Sequence, residues 1–228
     1  MPESFIGKNL EEVRRRIERA AAKRGVPAEK ILLVAVTKTV PPEIIQAAYH
    51  LGIRDFGENR VQEALPKIKL LPEDIRWHFI GHLQRNKVKS VLPFFTLIHS
   101  LDSIRLAEAI QKEGEKQDKK VDVLLEVNIG EEESKFGFKY QEVEEALVEL
   151  RGYSHLKVKG LMAVAPFLPD PEEVRPYFRR LYKLFRDIKI PGIEMKYLSM
   201  GMSNDFEVAV EEGANIVRLG TALFGERG

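Results

Sequence analysis

The stretch ILLVAVTKTVPPEIIQAAYHLGIRDFG at 31–57 decides the fold of this protein. It begins with a continuous apolar run at 31–36, which is typical of a strand that is buried on both faces. A helical pattern follows at 42–52, and a second β-rich run lies at 53–57. This order predicts a strand, a helix and a parallel strand that are joined by a right-handed crossover.

The same alternation continues along the chain. Further β-rich runs lie at 76–81, 96–101, 121–129, 156–164, 194–200 and 215–220. Helical patterns separate the runs, at 61–71, 85–95, 103–116, 140–152, 171–188 and 204–213. About eight such units predict an α/β fold, namely a (β/α)8 TIM barrel near the small end of its size range. The alternative is an open doubly wound sheet, but the Gly-rich turn that such a fold places after its first strand is absent.

The segment before the first strand predicts a helix that flanks the barrel. Asn9 can cap this helix and Gly25 can end it, while Leu10, Val13 and Ile17 form an apolar stripe between them. No low-complexity linker divides the chain. We therefore predict one domain over 1–228, which consists of the barrel and the flanking helix.

The composition excludes several classes of function. The chain has 228 residues, of which 44% are hydrophobic and 31% are charged, as in soluble globular proteins. The formal net charge of +1 argues against a dedicated nucleic-acid groove or a polybasic membrane surface. The absence of cysteine excludes disulfides, thiolate nucleophiles and cysteine metal sites. Since no apolar run has the length of a membrane helix and the first residues do not resemble a secretion signal, we expect a cytoplasmic protein.

Reactive groups of a barrel lie where its strands end. Lys38 follows the first strand, where we expect partial burial at the barrel mouth to favour the neutral amine that forms Schiff bases. The alternative is a lysine whose ammonium reaches solvent. Asn59 follows the second strand beside Glu58 and Arg60, and this group either orients a ligand or caps the next helix. His82 follows the third strand, as an acid or base or as part of a capping loop.

Two turns late in the chain combine glycine, hydroxyl groups and free backbone N–H groups. They contain Ser199, Met200, Gly201 and Ser203 after the seventh strand, and Arg218, Gly220 and Thr221 at the end of the eighth. Glycine, hydroxyl groups and free N–H groups all suit the binding of an anion. The turns after the last two strands form the usual phosphate site of this fold. The alternative is a pair of ordinary tight turns.

A Schiff-base lysine and a phosphate site at one barrel mouth indicate a phosphorylated aldehyde, and pyridoxal 5′-phosphate (PLP) is the first candidate. Arg218 would then lie near the pyridine ring, where a guanidinium keeps the ring nitrogen unprotonated. Such a ring is a poorer electron sink than a pyridinium, which weakens the case for broad carbanion chemistry.

The motifs resemble the pyridoxal phosphate homeostasis protein family, whose barrel is similar to the N-terminal domain of alanine racemase. WHFIGHLQRNK at 77–87 and LSMGMSNDF at 198–206 carry the resemblance most specifically, and it extends from about 34 to 225. At the motif positions the sequence departs from the family only in ALFG at 222–225, where isoleucine is common in place of leucine.

The resemblance implies a PLP fold type III barrel that lacks the β-domain of the racemase. It implies that Lys38 carries the cofactor as an internal aldimine, and that residues 199–203, Gly220 and Thr221 contact its phosphate. Arg218 would neighbour the pyridine nitrogen, and Asn59 and Met162 would line the ring pocket. The implied role is non-catalytic: the protein holds the cofactor and controls its free level, and apo PLP-dependent enzymes are its possible partners.

Two enzymatic readings are the alternatives, a single-domain amino-acid racemase or related lyase and a Schiff-base aldolase that acts on a phosphosugar. Racemisation needs an acid or base on each face of the ring, and Lys38 serves only one face. The tyrosines that might serve the other face fall in or beside helical patterns or, as Tyr197 does, upstream of a strand end. We therefore expect a carrier or regulator rather than an enzyme. The lack of an added domain favours a monomer.

Overall fold

The computed structural model describes residues 2–132 and 135–226. Eight parallel strands form a closed barrel in which each strand pairs with the next in chain order and the eighth pairs with the first. The strands are β1 (Leu32–Val36), β2 (Asp55–Glu58), β3 (Arg76–Phe79), β4 (Phe95–Leu101), β5 (Val121–Glu126), β6 (Leu156–Met162), β7 (Tyr197–Ser199) and β8 (Ile216–Leu219). The predicted (β/α)8 barrel is confirmed, and the open sheet is excluded.

Helices follow the strands and cover the outside of the barrel. Within the described residues the α-helices are α1 (Pro2–Arg24), α2 (Pro42–His50), α3 (Val61–Ile68), α4 (Val88–Val91), α5 (Ile104–Lys116), α6 (Val143–Leu150), α7 (Arg175–Asp187), α8 (Phe206–Glu211) and α9 (Thr221–Phe224). Short 3-10 turns lie at Ala28–Lys30, Arg85–Lys87, Tyr140–Glu142 and Pro171–Val174. In this part of the chain no helix is both long enough and apolar enough to span a membrane.

Two groups of apolar side chains hold the layers together. A small cluster fills the barrel interior and contains Val34, Leu97, Leu124, Met162 and Ile216. A larger cluster lies between the strands and the surrounding helices. Because successive side chains of a strand point to opposite faces, β1, β4, β5, β6 and β8 contribute to both groups. This explains why the predicted β1 has apolar residues at every position.

The flanking helix begins earlier than predicted, since α1 includes the seven residues before Asn9 from Pro2 onward. Asn9 does not cap the start of α1, because it lies within that helix; its side-chain Nδ2 donates to the carbonyl of Leu223 in α9 at 2.9 Å. The apolar stripe continues back to the buried Ile6, so the first turns of α1 pack on the barrel and remain helical. The predicted end is confirmed, because Gly25 adopts a φ of 73° immediately after the helix.

The helix predicted at 85–95 is much shorter in the structure. It consists of the 3-10 turn Arg85–Lys87 and the single turn of α4, and β4 begins at Phe95. Pro93 lies between α4 and β4. A proline has no backbone N–H to donate to the preceding turn of a helix. The chain therefore leaves the helix early enough to enter the barrel.

Candidate functional site

The predicted site residues lie at one end of the barrel, where the strands terminate. The pairing of β1 with β8 sets Val34 opposite Arg218, and the pairing of β6 with β7 sets Met162 opposite Ser199. Lys38 lies two residues beyond β1, and the turn at 220–221 follows the neighbouring β8. The barrel thus brings together residues that are far apart in the sequence.

Lys38 lies in the turn that follows β1 and is exposed. Within residues 2–132 and 135–226 its ammonium has no hydrogen bond or ion pair. The prediction of partial burial is therefore wrong. The strand end is closed by the buried Thr37, whose backbone N–H donates to the Gly57 carbonyl at 2.9 Å, and Thr39 turns the chain with a φ of 62°. Lys38 lies beyond that closure, so its side chain is accessible to solvent.

A buried ion pair holds the end of β1 in place. Glu58 Oε1 accepts a hydrogen bond from the Thr37 hydroxyl at 2.7 Å and lies 2.9 Å from Lys67 Nζ, which also donates to the Thr37 carbonyl at 2.8 Å. Glu58 therefore does not face a ligand together with Asn59, as the sequence suggested, and Arg60 is exposed and pairs with Glu63. The sequence gives no signal for Lys67, because a lysine near the end of a helix is usually solvated.

Asn59 carries an acceptor without a partner. Its Oδ1 atom is buried and has no hydrogen bond in the described part of the chain. The backbones of Gly81 and Asn59 approach each other closely. A Cβ atom at position 81 would lie 2.3 Å from the backbone carbonyl oxygen of Asn59. Glycine is therefore required there, which gives a physical reason for the glycine of the WHFIGHLQRNK motif. An unpaired buried acceptor is costly unless a ligand supplies a donor.

The predicted phosphate contacts at the end of β7 and in the turn after it have different surroundings. The side chain of Met200 is buried in the core outside the barrel, so it does not face a ligand. Gly201 has a φ of 93°, and a Cβ atom there would lie 2.5 Å from the Cβ of Ala209. Ser199 is fully buried, and its hydroxyl lies against Arg218 and His99 rather than in the turn.

Ser203 joins the turn after β7 to the turn after β8. Its Oγ accepts hydrogen bonds from the backbone N–H groups of Gly220, at 3.2 Å, and Ala222, at 3.1 Å. Thr221 between them is exposed. Two amides that converge on one oxygen form the kind of nest that binds phosphate. Ala222 is absent from the sequence-based prediction, because a backbone donor carries no residue signature.

Arg218 is buried in the barrel mouth and held at both of its terminal nitrogens. One donates to Ser199 Oγ at 2.6 Å and the other to the Ala163 carbonyl at 3.0 Å. Burial lowers the pKa of Arg218 to about 10, although the carboxylates of Glu126 and Asp205 act in the opposite direction. The side chain is therefore a fixed cation at neutral pH.

Glu126 and His82 also lie at this end of the barrel. Burial, together with the nearby Asp102 carboxylate, raises the pKa of Glu126 to about 7. His82 does not cap a helix; its Nδ1 lies 2.8 Å from Asp102 Oδ2, and its ring stacks on Phe136 with centroids 3.8 Å apart. Across the described residues no group of three or more His, Asp or Glu side chains could hold a metal ion.

Comparisons with known proteins agree with this architecture. Residues 8–228 match the family described as alanine racemase, N-terminal domain. The pyridoxal phosphate homeostasis protein of Aquifex aeolicus is 47% identical over 220 residues, which cover 96% of each chain. That of Escherichia coli K12 is 37% identical and covers 97% of each chain. The chain belongs to the pyridoxal phosphate homeostasis protein family.

Two solved structures are similar to this chain. PipY of Synechococcus elongatus, solved with PLP bound, has a TM-score of 0.78 and 34% identity, and the match covers 92% of this chain and all of PipY. An alanine racemase of Corynebacterium glutamicum has a TM-score of 0.72 but only 18% identity, over 98% of this chain and 61% of the racemase. The racemase shares the barrel fold.

Proposed function

We propose that this protein binds PLP at the barrel mouth, with the Lys38 amine as the point of covalent attachment, and that it takes part in controlling the level of the free cofactor. One observation carries the proposal: a lysine amine that has no partner in the described residues lies at the same strand ends as a pair of convergent backbone amides. PipY, which is 34% identical, has been solved with PLP bound, and this supports the choice of ligand.

The phosphate end of the ligand suits the turns after β7 and β8. The N–H groups of Gly220 and Ala222 converge on one oxygen, Ser203 Oγ, and a phosphate oxygen would replace it as their acceptor. The Thr221 hydroxyl is exposed beside them and is a further donor. Because Met200 and Ser199 are buried in other roles, we assign the phosphate to Ser203, Gly220, Thr221 and Ala222.

The ring end of the ligand suits Arg218, Asn59 and Met162. A guanidinium can only donate hydrogen bonds, so Arg218 would face an unprotonated pyridine nitrogen and keep it so. The Oδ1 atom of Asn59 is a buried acceptor that awaits a donor. Met162 belongs to the interior cluster and would form the apolar floor of the pocket.

The residues at the mouth favour storage of the cofactor over turnover of amino acids. When bound, the cofactor supplies an aldehyde that condenses reversibly with amines. Lys38 is exposed, so water and incoming amines reach the attachment point. Arg218, as a cation fixed by Ser199 and Ala163, disfavours the pyridinium form that carbanion chemistry uses. Tyr197 begins β7 and packs with the interior cluster, at the opposite end of the strand from the mouth.

Borohydride reduction followed by peptide mapping tests the attachment. The protein is incubated with excess PLP, reduced and digested, and we expect a phosphopyridoxyl group on Lys38. Lys38→Ala should lose the adduct and the visible absorbance of the bound cofactor while remaining folded. Lys30→Ala is the matched control, because Lys30 is also exposed but precedes β1, at the other end of the barrel.

Two results would overturn the proposal. The first is an unmodified Lys38 in the wild-type protein after incubation with excess cofactor. The second is unchanged visible absorbance in Lys38→Ala. Rapid racemisation or cleavage of amino acids by the loaded protein would instead favour an enzyme at the same site.

A further inference from the structure

A continuous series of buried hydrogen bonds leads from Arg218 through the barrel interior. Ser199 Oγ accepts from Arg218 at 2.6 Å and lies 2.9 Å from His99 Nδ1. His99 Nε2 lies 2.9 Å from His78 Nδ1, and His78 Nε2 lies 3.0 Å from Asp55 Oδ1. All five side chains are buried. We call Arg218, Ser199, His99, His78 and Asp55 the interior polar chain.

The strands explain how these residues meet. Leu97 and Ile216 belong to the interior cluster, so His99 and Arg218, two positions further along β4 and β8, face the same interior. Asp55 begins β2, whereas Ser199 ends β7. The interior polar chain therefore crosses the barrel from the N-terminal ends of the strands to the mouth.

The far end of the interior polar chain is a carboxylate. Burial alone would raise the pKa of Asp55, but hydrogen bonds from His78 and Arg76 outweigh it and hold the pKa below its ordinary value. Arg76 donates from Nε to Asp55 Oδ1 at 2.8 Å and from a terminal nitrogen to Oδ2 at 2.5 Å. Asp55 is therefore ionised at neutral pH and accepts every hydrogen bond that it makes.

The two ends determine the direction of every bond between them. Asp55 only accepts, so His78 donates from Nε2, and a neutral His78 then accepts at Nδ1 from His99 Nε2. His99 in turn accepts at Nδ1 from the Ser199 hydroxyl, which leaves a lone pair of Ser199 Oγ for Arg218. In this arrangement each of the four contacts of the series joins one donor to one acceptor, as buried polar groups require.

A charged histidine would break this pattern. A protonated His78 would donate from both nitrogens, His99 would then donate to Ser199 Oγ, and the buried Ser199 hydroxyl would have no acceptor among the described residues. Burial, and after it the charge of Arg218, hold the pKa of His99 well below its ordinary value. Two neutral rings are thus the arrangement that satisfies all five groups.

We propose that His99 and His78 are positioning residues, both neutral and protonated on Nε2, which orient the Ser199 hydroxyl so that Arg218 is held as the donor that faces the ring of the bound ligand. The orientation follows from the geometry of this chain, whereas the ligand rests on the proposed function. Within the interior polar chain, His99 is the acceptor of the Ser199 hydroxyl, so His99 fixes the direction in which that hydroxyl points. The loss of His99 should therefore release Arg218 from one of its two anchors.

Nitrogen-15 NMR of the protein without added ligand tests the tautomers. The chain has only five histidines, so the ring signals can be assigned by single substitutions. We expect His78 and His99 to show an Nε2–H tautomer at neutral pH, with scalar or through-space contacts between the two rings. A cationic ring, or an Nδ1–H tautomer at either residue, would overturn the proposal whether or not the protein binds PLP.

Two substitutions of His99 test the positioning role. A glutamine side chain at this position can accept from Ser199 and donate to His78, whereas a phenylalanine side chain can do neither. We expect His99→Phe to weaken PLP binding about tenfold, the effect of one hydrogen bond to a charged group, and to shift the absorption of the bound cofactor. His99→Gln should restore both, and His50→Phe, a substitution at an exposed histidine, should change neither.

The outcomes separate this inference from the proposed function. If the wild-type protein takes up no PLP, the proposed function fails and the NMR result alone decides the interior polar chain. If wild-type binds PLP and His99→Phe, shown to be folded by circular dichroism, binds it with the same affinity and spectrum, the positioning role is refuted. If His99→Phe does not fold, equal spectra of wild-type and protein in which Ser199→Ala removes the hydroxyl would refute it instead.

Discussion

The ion pair between Lys67 and Glu58 should be essential for stability at the end of β1. Glu58 is fully buried, and its Oε2 has no hydrogen-bond partner in the described residues, so its charge depends on the Thr37 hydroxyl and the Lys67 ammonium at Oε1. Lys67→Met keeps an unbranched side chain that is one atom shorter, and it removes the charge. Removing one partner of a buried pair costs about 3–5 kcal/mol.

Proton uptake limits this loss in a way that can be measured. A glutamate in water takes up a proton at pH 7 at a cost of about 4 kcal/mol, and at pH 5 the cost is only about 1 kcal/mol. Lys67→Met should therefore lower the free energy of unfolding by about 3–4 kcal/mol at pH 7. At about 2–4 °C per kcal/mol, Tm should fall by roughly 6–16 °C. At pH 5 most of the difference should disappear.

Urea unfolding at the two pH values is the assay. Glu58→Gln in the Lys67→Met background removes the uncompensated charge and should recover most of the stability at pH 7. Lys69→Met is the control, because Lys69 follows α3 and is exposed without a partner in the described residues. A loss below about 1 kcal/mol at pH 7, or an equal loss at pH 5 and pH 7, would refute the reasoning.

Two other substitutions test the mouth. Because the pKa of Glu126 is raised to about 7, its protonated form stabilises the fold at low pH, and the contribution is lost as the pH rises towards 7. Glu126→Gln should remove this decline, worth about 3 kcal/mol, and parallel stability–pH curves for variant and wild-type would contradict it. In Gly201→Ala the new Cβ atom would clash with Ala209, and the backbone would have to keep a left-handed φ. The substitution should therefore lower the free energy of unfolding in urea by roughly 2–4 kcal/mol. Gly152→Ala, where a Cβ atom would make only one ordinary contact and no such φ applies, should stay within about 0.5 kcal/mol, and equal effects of the two would be inconsistent with the strain.

The alternation of strands and helices could be read from the sequence because it is local. An apolar run, a turn and an amphipathic stretch each have a period that survives without tertiary contacts. The start of α1 could not be read in this way. Asn9 is a good local capping signal, but the burial of Ile6 extends the helix, and that burial exists only once α1 has packed on the barrel.

The site divides along the same line. Lys38, Arg218 and the turn at Gly220 follow from their positions at strand ends, which the fold brings to one mouth. The side chains of Ser199 and Met200 looked equivalent in sequence, yet one faces the barrel interior and the other the surrounding core. Strand register decides between those faces, and register depends on neighbours that are distant in the chain.

The sequence by itself therefore determined the barrel, the end at which its reactive residues gather and the family to which they point, because these depend on periodicity and on the order of motifs. Only the tertiary structure determined which groups pair. Ser199 meets His99 across 100 residues, and Lys67 closes the β1 end through Glu58. Hydrogen bonds act over about 3 Å, and no local pattern records which distant atoms will approach so closely.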